Sequence, residues 1–396
     1  MWIELSEFNI KIFLPLIYPI VKRIEDIPRK AYLNDDNQLF KTFRYFLCYT
    51  LSFVPFLVIK LRTKKERKKK EQEDSKPLKI IYANGNDSVN SKSEINKLSK
   101  KLNKKRLIKN IIILILLCVL GGFCYFYRYL FEVKAYEIPK QSVGIFFIIF
   151  DFIALSYFVL KQKLYKHHFV FSGIIAFILL ILFIITVFYM KSEDIFPSFL
   201  YFLFLYFCFG VYDVFGKKYM NEFYQTPYFL MFVVGTINSF ALLIFDLFIY
   251  FLDSDIKGTI IGFQNNVYSV SRIFIFIGDI ILQWVWNVGI WLTIYYLTPC
   301  HYFMSEYISE YIYYIVNAMN SDSDFYSTTN IIIFSIAFCI NFFCCLVFNE
   351  VIIINSFGLD YNTKKRIQER ESKDVDQIVI TELEEQFDKE EVEEIE

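Results

Sequence analysis

Apolar residues in this chain run in blocks of about 20, and the blocks leave no polar face when wound as helices. A helix rising 1.5 Å per residue needs about that length to cross a hydrocarbon core ~30 Å thick. Soluble core strands would be shorter and punctuated by Gly and Pro. The pattern therefore predicts an all-α, polytopic transmembrane helical bundle.

Strong spans fall at 42–60, 109–130, 142–160, 169–190, 196–215, 227–251, 273–297 and 330–354. Residues 10–21 are short for a full crossing, and 301–318 carries Glu306 and Glu310. With both counted as crossings, about ten spans result. The chain divides into 1–60 (two spans), a loop at 61–108, and 109–190 (the rest of a first half). A second half at 194–355 and a charged tail at 356–396 follow. The N-terminal stretch MWIELSEFNIKIFLPLIYPIVKRIED has neither a basic leader nor a small-residue cleavage site, so it reads as retained.

Charge sets the orientation. Net charge is zero, but about eighteen Lys and Arg crowd 60–109, while acidic residues crowd the chain after Glu369. Positive connections stay cytosolic. Alternation then puts the basic segments 161–168, 216–224 and 364–370 on the same side, and both termini in the cytosol. The segment 22–41, with Lys22, Arg23, Arg29 and Lys30, is the exception. The loop 61–108, rich in Lys, Ser and Asn, is expected to be disordered. It reads first as a solvated insertion and otherwise as a tether to anionic lipid, and in the scaffold reading both it and the acidic tail are docking sites for cytosolic partners. It lacks interleaved aromatics, so nucleic-acid binding is not expected.

Ionisable groups within spans cost at least about 2.5 kcal/mol each and usually face a cavity or a partner. Asp151, Asp213, Asp246 and Asp279 are such groups. Asp213 is one helical turn from Lys217, with Lys218 next to it, and reads equally as half of an interfacial pair or as part of a substrate site. Glu306, Glu310, Tyr313 and Asn317 follow spacings of four, three and four, so they share one helical face suited to a wet pathway. In 273–297, Asp279, Gln283, Trp286 and Ile290 share a face with Asn287 beside it. The set could hold a polar substrate or simply tie helices together. Asn238, Asn341 and Asn349–Glu350 are weaker candidates. Trp284, Trp286 and Trp291 gather at mid-span, where close packing explains them.

Catalytic and cofactor chemistry finds no support. The eight cysteines lie in or beside apolar runs without a C-x-x-C pair, and read as buried small hydrophobes. His167–His168 lie in a basic turn, and His301 is remote from them in sequence. No G-x-S-x-G, H-E-x-x-H or Walker-type stretch occurs, so neither an enzyme nor a metal or cofactor site is expected.

Ten helices split five plus five, with both ends cytosolic, resemble the drug/metabolite transporter superfamily. The stretch SVGIFFIIFDFIALSYFVLKQKLYKHHFVFSGIIAFILLILF looks like its fourth and fifth helices. FLYFCFGVYDVFGKKYMNEFYQTPYFLMFVVGTINSF resembles the sixth and seventh of nucleotide-sugar-transporter-like members. LTPCHYFMSEYISEYIYYIV resembles a Pro-initiated ninth helix, and NEVIIINSFGLDYNTKKRI the end of the last helix in a divergent branch. The likeness spans about 110–365, without an FYNN or GALNK stretch. It implies two inverted five-helix repeats and a secondary transporter of a small polar or anionic metabolite, such as a nucleotide sugar or phosphorylated metabolite. An endomembrane, Golgi or ER, is the implied location, with the plasma membrane as the alternative. The implied cavity lining draws on the polar residues above, including Lys217 and Lys218; a homodimer is compatible. The competing reading is a non-transporting membrane scaffold or receptor.

Overall fold

The structure is a computed structural model. It describes residues 3–5, 14–17, 20–22, 38–74, 88–132, 153–161, 164–189, 195–252, 270–302, 305, 311–312, 315, 328–363, 365–370 and 372. The elements are β1 (Ile3–Leu5), α1 (Gln38–Thr50), α2 (Phe53–Asp74), α3 (Ser88–Glu132) and α4 (Lys166–Tyr189). They continue with α5 (Ile195–Phe223), α6 (Pro227–Leu252), α7 (Val270–Tyr296), α8 (Thr328–Phe348) and β2 (Ile352–Ile354).

Among the described residues, five helical stretches are long and apolar enough to cross a membrane: Phe40–Glu66, Lys104–Phe126, Pro227–Phe245, Val270–Tyr296 and Thr328–Phe348. Large apolar side chains such as Val119, Phe158, Phe177, Phe240, Ile244 and Phe274 point outward from the bundle. So much exposed apolar surface suits lipid, and the chain is an integral membrane protein.

The first of these stretches is broken. Pro55 has no N–H for the Leu51 carbonyl, which instead accepts from Val54 N at 3.2 Å in a tighter turn. The regular pattern resumes with Phe56 N donating to the Ser52 carbonyl at 3.1 Å. α1 and α2 are thus two segments of one span, joined at Leu51–Ser52.

Two groups of helices follow from the packing. α1, α3, α5, α6 and α7 share one apolar core, while α4 and α8 share another with Cys300 and Ile354. Small residues set the closest approaches. A Cβ at Gly235 of α6 would lie 2.4 Å from Tyr49 Cβ and 2.8 Å from the Phe46 carbonyl oxygen, so only glycine lets α6 meet α1. At Gly122 of α3 a Cβ would lie 2.3 Å from Asn238 Oδ1. Asn238 Nδ2 occupies that gap between helices, donating to the Cys118 carbonyl at 3.0 Å and to the Val234 carbonyl at 2.9 Å.

Contacts link the basic connections at one end of the bundle. Lys109 pairs with Glu222, Lys217 donates to the Tyr295 carbonyl, and Lys166 donates to the Phe357 carbonyl at 2.8 Å. His168 and His301 lie ring to ring, 5.8 Å between centroids, joining the two helix groups at this end.

Three expectations need revision. The segment 61–108 is helical through Asp74 and again from Ser88, rather than a disordered loop. Its Lys, Arg, Glu and Gln lose little rotamer freedom in a helix, so helix forms without apolar periodicity. The last span stops at Phe348, not 354. Val351 N donates to the Leu346 carbonyl at 2.9 Å and Glu350 N to the Val347 carbonyl at 3.0 Å, a Schellman termination. Glu350 takes its left-handed position, φ 58°. Third, β2 pairs antiparallel with β1, Ile3 opposite Ile354, adding a two-stranded ribbon to an otherwise helical fold. Of the two weaker spans, residues 14–17, 20–22, 301–302, 305, 311–312 and 315 are helical, and of the strong span 142–160 the described part, 153–160, is helical. Residues 75–87 and the acidic tail after Ser372 lie outside the described residues.

Candidate functional site

α7 carries a ladder of buried polar and aromatic groups at four-residue intervals: Asp279, Gln283, Asn287 and Trp291. Four residues advance a helix slightly beyond one turn, so these side chains stay on one face. From Asp279 to Trp291 the ladder rises about 18 Å, more than half the thickness of a hydrocarbon core. Trp286 and Ile290, which belong to the expected face, are buried beside it.

α1 supplies the complementary face. Arg44 Nη1 lies 3.2 Å from Asp279 Oδ2, and the two side chains are 1% and 0% exposed. Desolvating two ions costs several kcal/mol each, an expense that mutual attraction offsets only when the pair is intact. Two turns further along α7, Asn287 Oδ1 accepts from the hydroxyl of Tyr45, the neighbour of Arg44, at 2.6 Å. The Tyr45 hydroxyl also shares hydrogen bonds with Tyr49, at 2.6 Å, and with Tyr125 of α3. Tyr49 accepts from Trp291 Nε1 at 3.1 Å, and Tyr212 of α5 meets the Trp291 ring edge-on at 5.4 Å. At the break between α1 and α2, Ser52 accepts from Trp284 Nε1 at 2.9 Å. A charged pair and a tyrosine–asparagine–tryptophan network thus run along the α1–α7 seam.

Some of this network has hydrogen-bonding capacity to spare. Gln283 Oε1, Tyr212 Oη and Trp286 Nε1 are buried without a hydrogen-bond partner among the described residues. Buried polar groups are nearly always satisfied, so these three atoms set the α7 face and its neighbours apart from the apolar packing around them.

The expected site residues distribute unevenly. Asp279, Gln283, Asn287 and Trp286 come together. Asn238 braces α3 against α6 through the two carbonyl bonds above. Asp213 is buried, and of its two readings the interfacial pair with Lys217 is not seen among the described residues. Lys217 reaches instead to α7, donating to the Tyr295 carbonyl and lying 5.5 Å from that residue's ring centroid. It lies past the 196–215 span, and burial pushes its ammonium down to about 8. Lys218 is exposed, 6.0 Å from the Phe215 ring. Glu306, Glu310, Tyr313 and Asn317 lie outside the described residues, as does the Asp246 side chain.

Sequence reasoning missed Arg44, Tyr45, Tyr49, Tyr125 and Tyr212. Arg44 did carry a signal, an arginine inside the apolar block TFRYFLCYT. The tyrosines carried none, being four among 29. Trp284 and Trp291 do more than fill space, since both indole N–H groups are donors in the seam. No protein-family model and no curated protein matches this chain.

Proposed function

We propose that this protein is a secondary transporter that binds a small polar or anionic metabolite in the α1–α7 seam. The observation that carries this reading is the buried Arg44–Asp279 pair, continued inward by Tyr45, Tyr49, Asn287 and Trp291. A membrane protein that only needed rigid helices would gain as much from apolar packing there. Arg44's planar guanidinium suits a carboxylate or phosphate, and such a group on the substrate competes with Asp279 for it. The break at Leu51–Ser52 lies beside the network, and interrupted helices commonly flank carrier sites at mid-membrane.

The pairing of helices supports a fold of two five-span repeats. Number the ten expected spans from 10–21 to 330–354 and shift each by five. The second packs on the seventh and the fifth on the tenth, so each of these pairs maps onto itself. Second-on-eighth exchanges with third-on-seventh, and second-on-third with seventh-on-eighth. Third-on-sixth exchanges with first-on-eighth, a contact made by Lys22 lying 5.2 Å from the Trp286 ring centroid. An odd number of spans per repeat turns the second copy upside down, as the resemblance to drug/metabolite transporters implies.

Alternating access then consists of the repeats rocking about the seam, with similar substrate affinity in both states. The test is uptake by proteoliposomes offered nucleotide sugars, phosphorylated sugars and small carboxylates. Saturable uptake that is lost in Asp279→Asn and in Arg44→Gln, with both variants monodisperse in detergent, supports the reading. Wild-type uptake no greater than in empty vesicles across the panel, or unchanged uptake in both variants, overturns it.

A scaffold role has one observation in its favour. α2 runs on through Asp74, and α3 begins at Ser88, so basic helical extensions stand beyond the apolar stretches as rigid surfaces for partners. Such a protein would tolerate apolar replacement of the seam.

A further inference from the structure

The chain contains three histidines, and all three meet at one end of the bundle. His167 and His168 form the first turn of α4, directly after Lys166. His301 lies in the short helical segment that Pro299 begins beyond α7. Glu350 comes from the termination of α8. We propose that His167, His168 and Glu350 form a binding site for a first-row transition-metal ion of the zinc type.

Geometry supports this directly. One ligand atom from each of the three residues lies within 4.8 Å of the others, and all three side chains are buried. His167 Nε2 is 3.5 Å from Glu350 Oε1. Two donors about 2.0–2.1 Å from a tetrahedral zinc are separated by about 3.4 Å, so this edge needs almost no adjustment. His167 is 2% exposed, and beyond that approach to Glu350 neither of its ring nitrogens has a hydrogen-bond partner among the described residues. An imidazole so placed lacks the contacts that buried polar groups normally make, and a metal bond would supply one.

His168 Nδ1 accepts from Tyr165 N at 3.2 Å, and His168 joins the ion by exchanging that contact. The carboxylate is held at the left-handed residue that ends α8. Glycine would be the unstrained choice there, so the backbone bears a cost to present an acid at that point.

Around the three ligands lies an ordered surround. His301 packs edge-on against His168 and against Phe348, 5.1 Å between centroids. Thr298 Oγ1 is 2.7 Å from His301 Nδ1 and accepts from His301 N at 3.3 Å. His301 is thus engaged through Nδ1 and positions the His168 ring rather than providing one of the three ligands. Two imidazole nitrogens and one carboxylate oxygen suit zinc, with a fourth position for water, and are too few and too nitrogen-rich for calcium or magnesium. The ion would tie the start of α4 to the end of α8, beside the ribbon of β1 and β2.

The experiment uses the full-length protein purified in detergent, dialysed against zinc and then against metal-free buffer. Metal content is read by mass spectrometry and thermal stability by intrinsic fluorescence. The expected result is one zinc per chain, a higher Tm with zinc than after chelation, and no Tm response to magnesium or calcium. His167→Ala and Glu350→Gln should lose both the zinc and the Tm response, while His301→Ala retains the ion. Cobalt-loaded wild type provides a readout that needs no variant, since tetrahedral coordination gives intense visible bands. A wild type that holds no zinc, zinc content unchanged in His167→Ala and Glu350→Gln, or only the weak bands of octahedral cobalt would each overturn the proposal.

Discussion

Arg44 and Asp279 lie 3.2 Å apart in the interior of the bundle, and through them α1 is tied to α7 by opposite charges shielded from water. The pair has two consequences that can be measured apart, one for stability and one for transport. Removing either partner strands the other charge, a change that typically costs about 3–5 kcal/mol. Arg44→Gln and Asp279→Asn should each lower the thermal midpoint in detergent clearly. The double variant Arg44→Met/Asp279→Leu removes both charges and should recover most of the loss. Uptake should remain absent in the recovered double variant. Full uptake there would reduce the pair to a packing element.

The tyrosine network gives a subtler test. Tyr45→Phe removes the donor to Asn287 Oδ1 and leaves buried acceptors short of a partner, which costs about 1–3 kcal/mol. Tyr49→Phe removes the acceptor for the Trp291 indole. Each variant should melt earlier than wild type and lose substrate affinity, read as a raised KM. A Trp291→Phe variant should resemble Tyr49→Phe, and the double variant should cost less than the sum of the two. Additive losses would show that the two side chains are not coupled.

How much of this the residues announced depends on the distance over which the signal acts. The spans 42–60, 109–130, 227–251 and 273–297 were legible because an apolar run of crossing length speaks for itself. Asp279, Gln283 and Asn287 were legible as neighbours because helical periodicity within one segment places them together. Arg44, Tyr45 and Tyr49 were not, since they meet α7 only through tertiary packing, and a glycine 186 positions beyond Tyr49 makes room for that packing. The end of α8 was misjudged for a local reason. VIIIN reads as span, but the chain had already turned at Glu350 and gone on to pair with Ile3–Leu5. The helicity of 61–74 and 88–108 is carried by the helix propensity of Lys, Arg, Glu and Gln and leaves no trace in hydropathy.

Close approach at Gly235 yields a stability prediction. A methyl group there would meet Tyr49 Cβ and the Phe46 carbonyl, and backbone cannot move aside cheaply. Gly235→Ala should destabilise the protein by about 1–3 kcal/mol through overpacking. Gly173→Ala, with nothing within 4 Å of its new methyl, is the matched control and should leave the melting curve in place. Equal melting of the two variants would mean that α1 and α6 are not in tight contact.

Sidedness can be tested at two exposed aromatics. Tyr224 and Phe357 are each 85% exposed and stand at the end where the basic connections converge. Tyr224→Cys and Phe357→Cys should react with a membrane-impermeant maleimide from the same face of sealed vesicles, and from the cytosolic face if the basic connections obey the charge rule. The native cysteines are buried apart from Cys339, which lies within an apolar stretch, so background labelling should be low. Labelling of the two positions from opposite faces would refute the common end.

Pro55 is the residue whose replacement separates a hinge from a mere irregularity. Alanine there regains an N–H for the Leu51 carbonyl, which now accepts from Val54 in a tightened turn. Restoring that bond within a helix, together with the removal of the ring, favours a continuous α1–α2 by a few kcal/mol at most. The straightened span would draw Ser52 away from the Trp284 indole and stiffen the segment that must move if the repeats rock. Pro55→Ala should therefore raise the thermal midpoint while slowing uptake, with the loss in kcat rather than in KM. A variant that is more stable and transports at the wild-type rate would show that the break plays no part in transport.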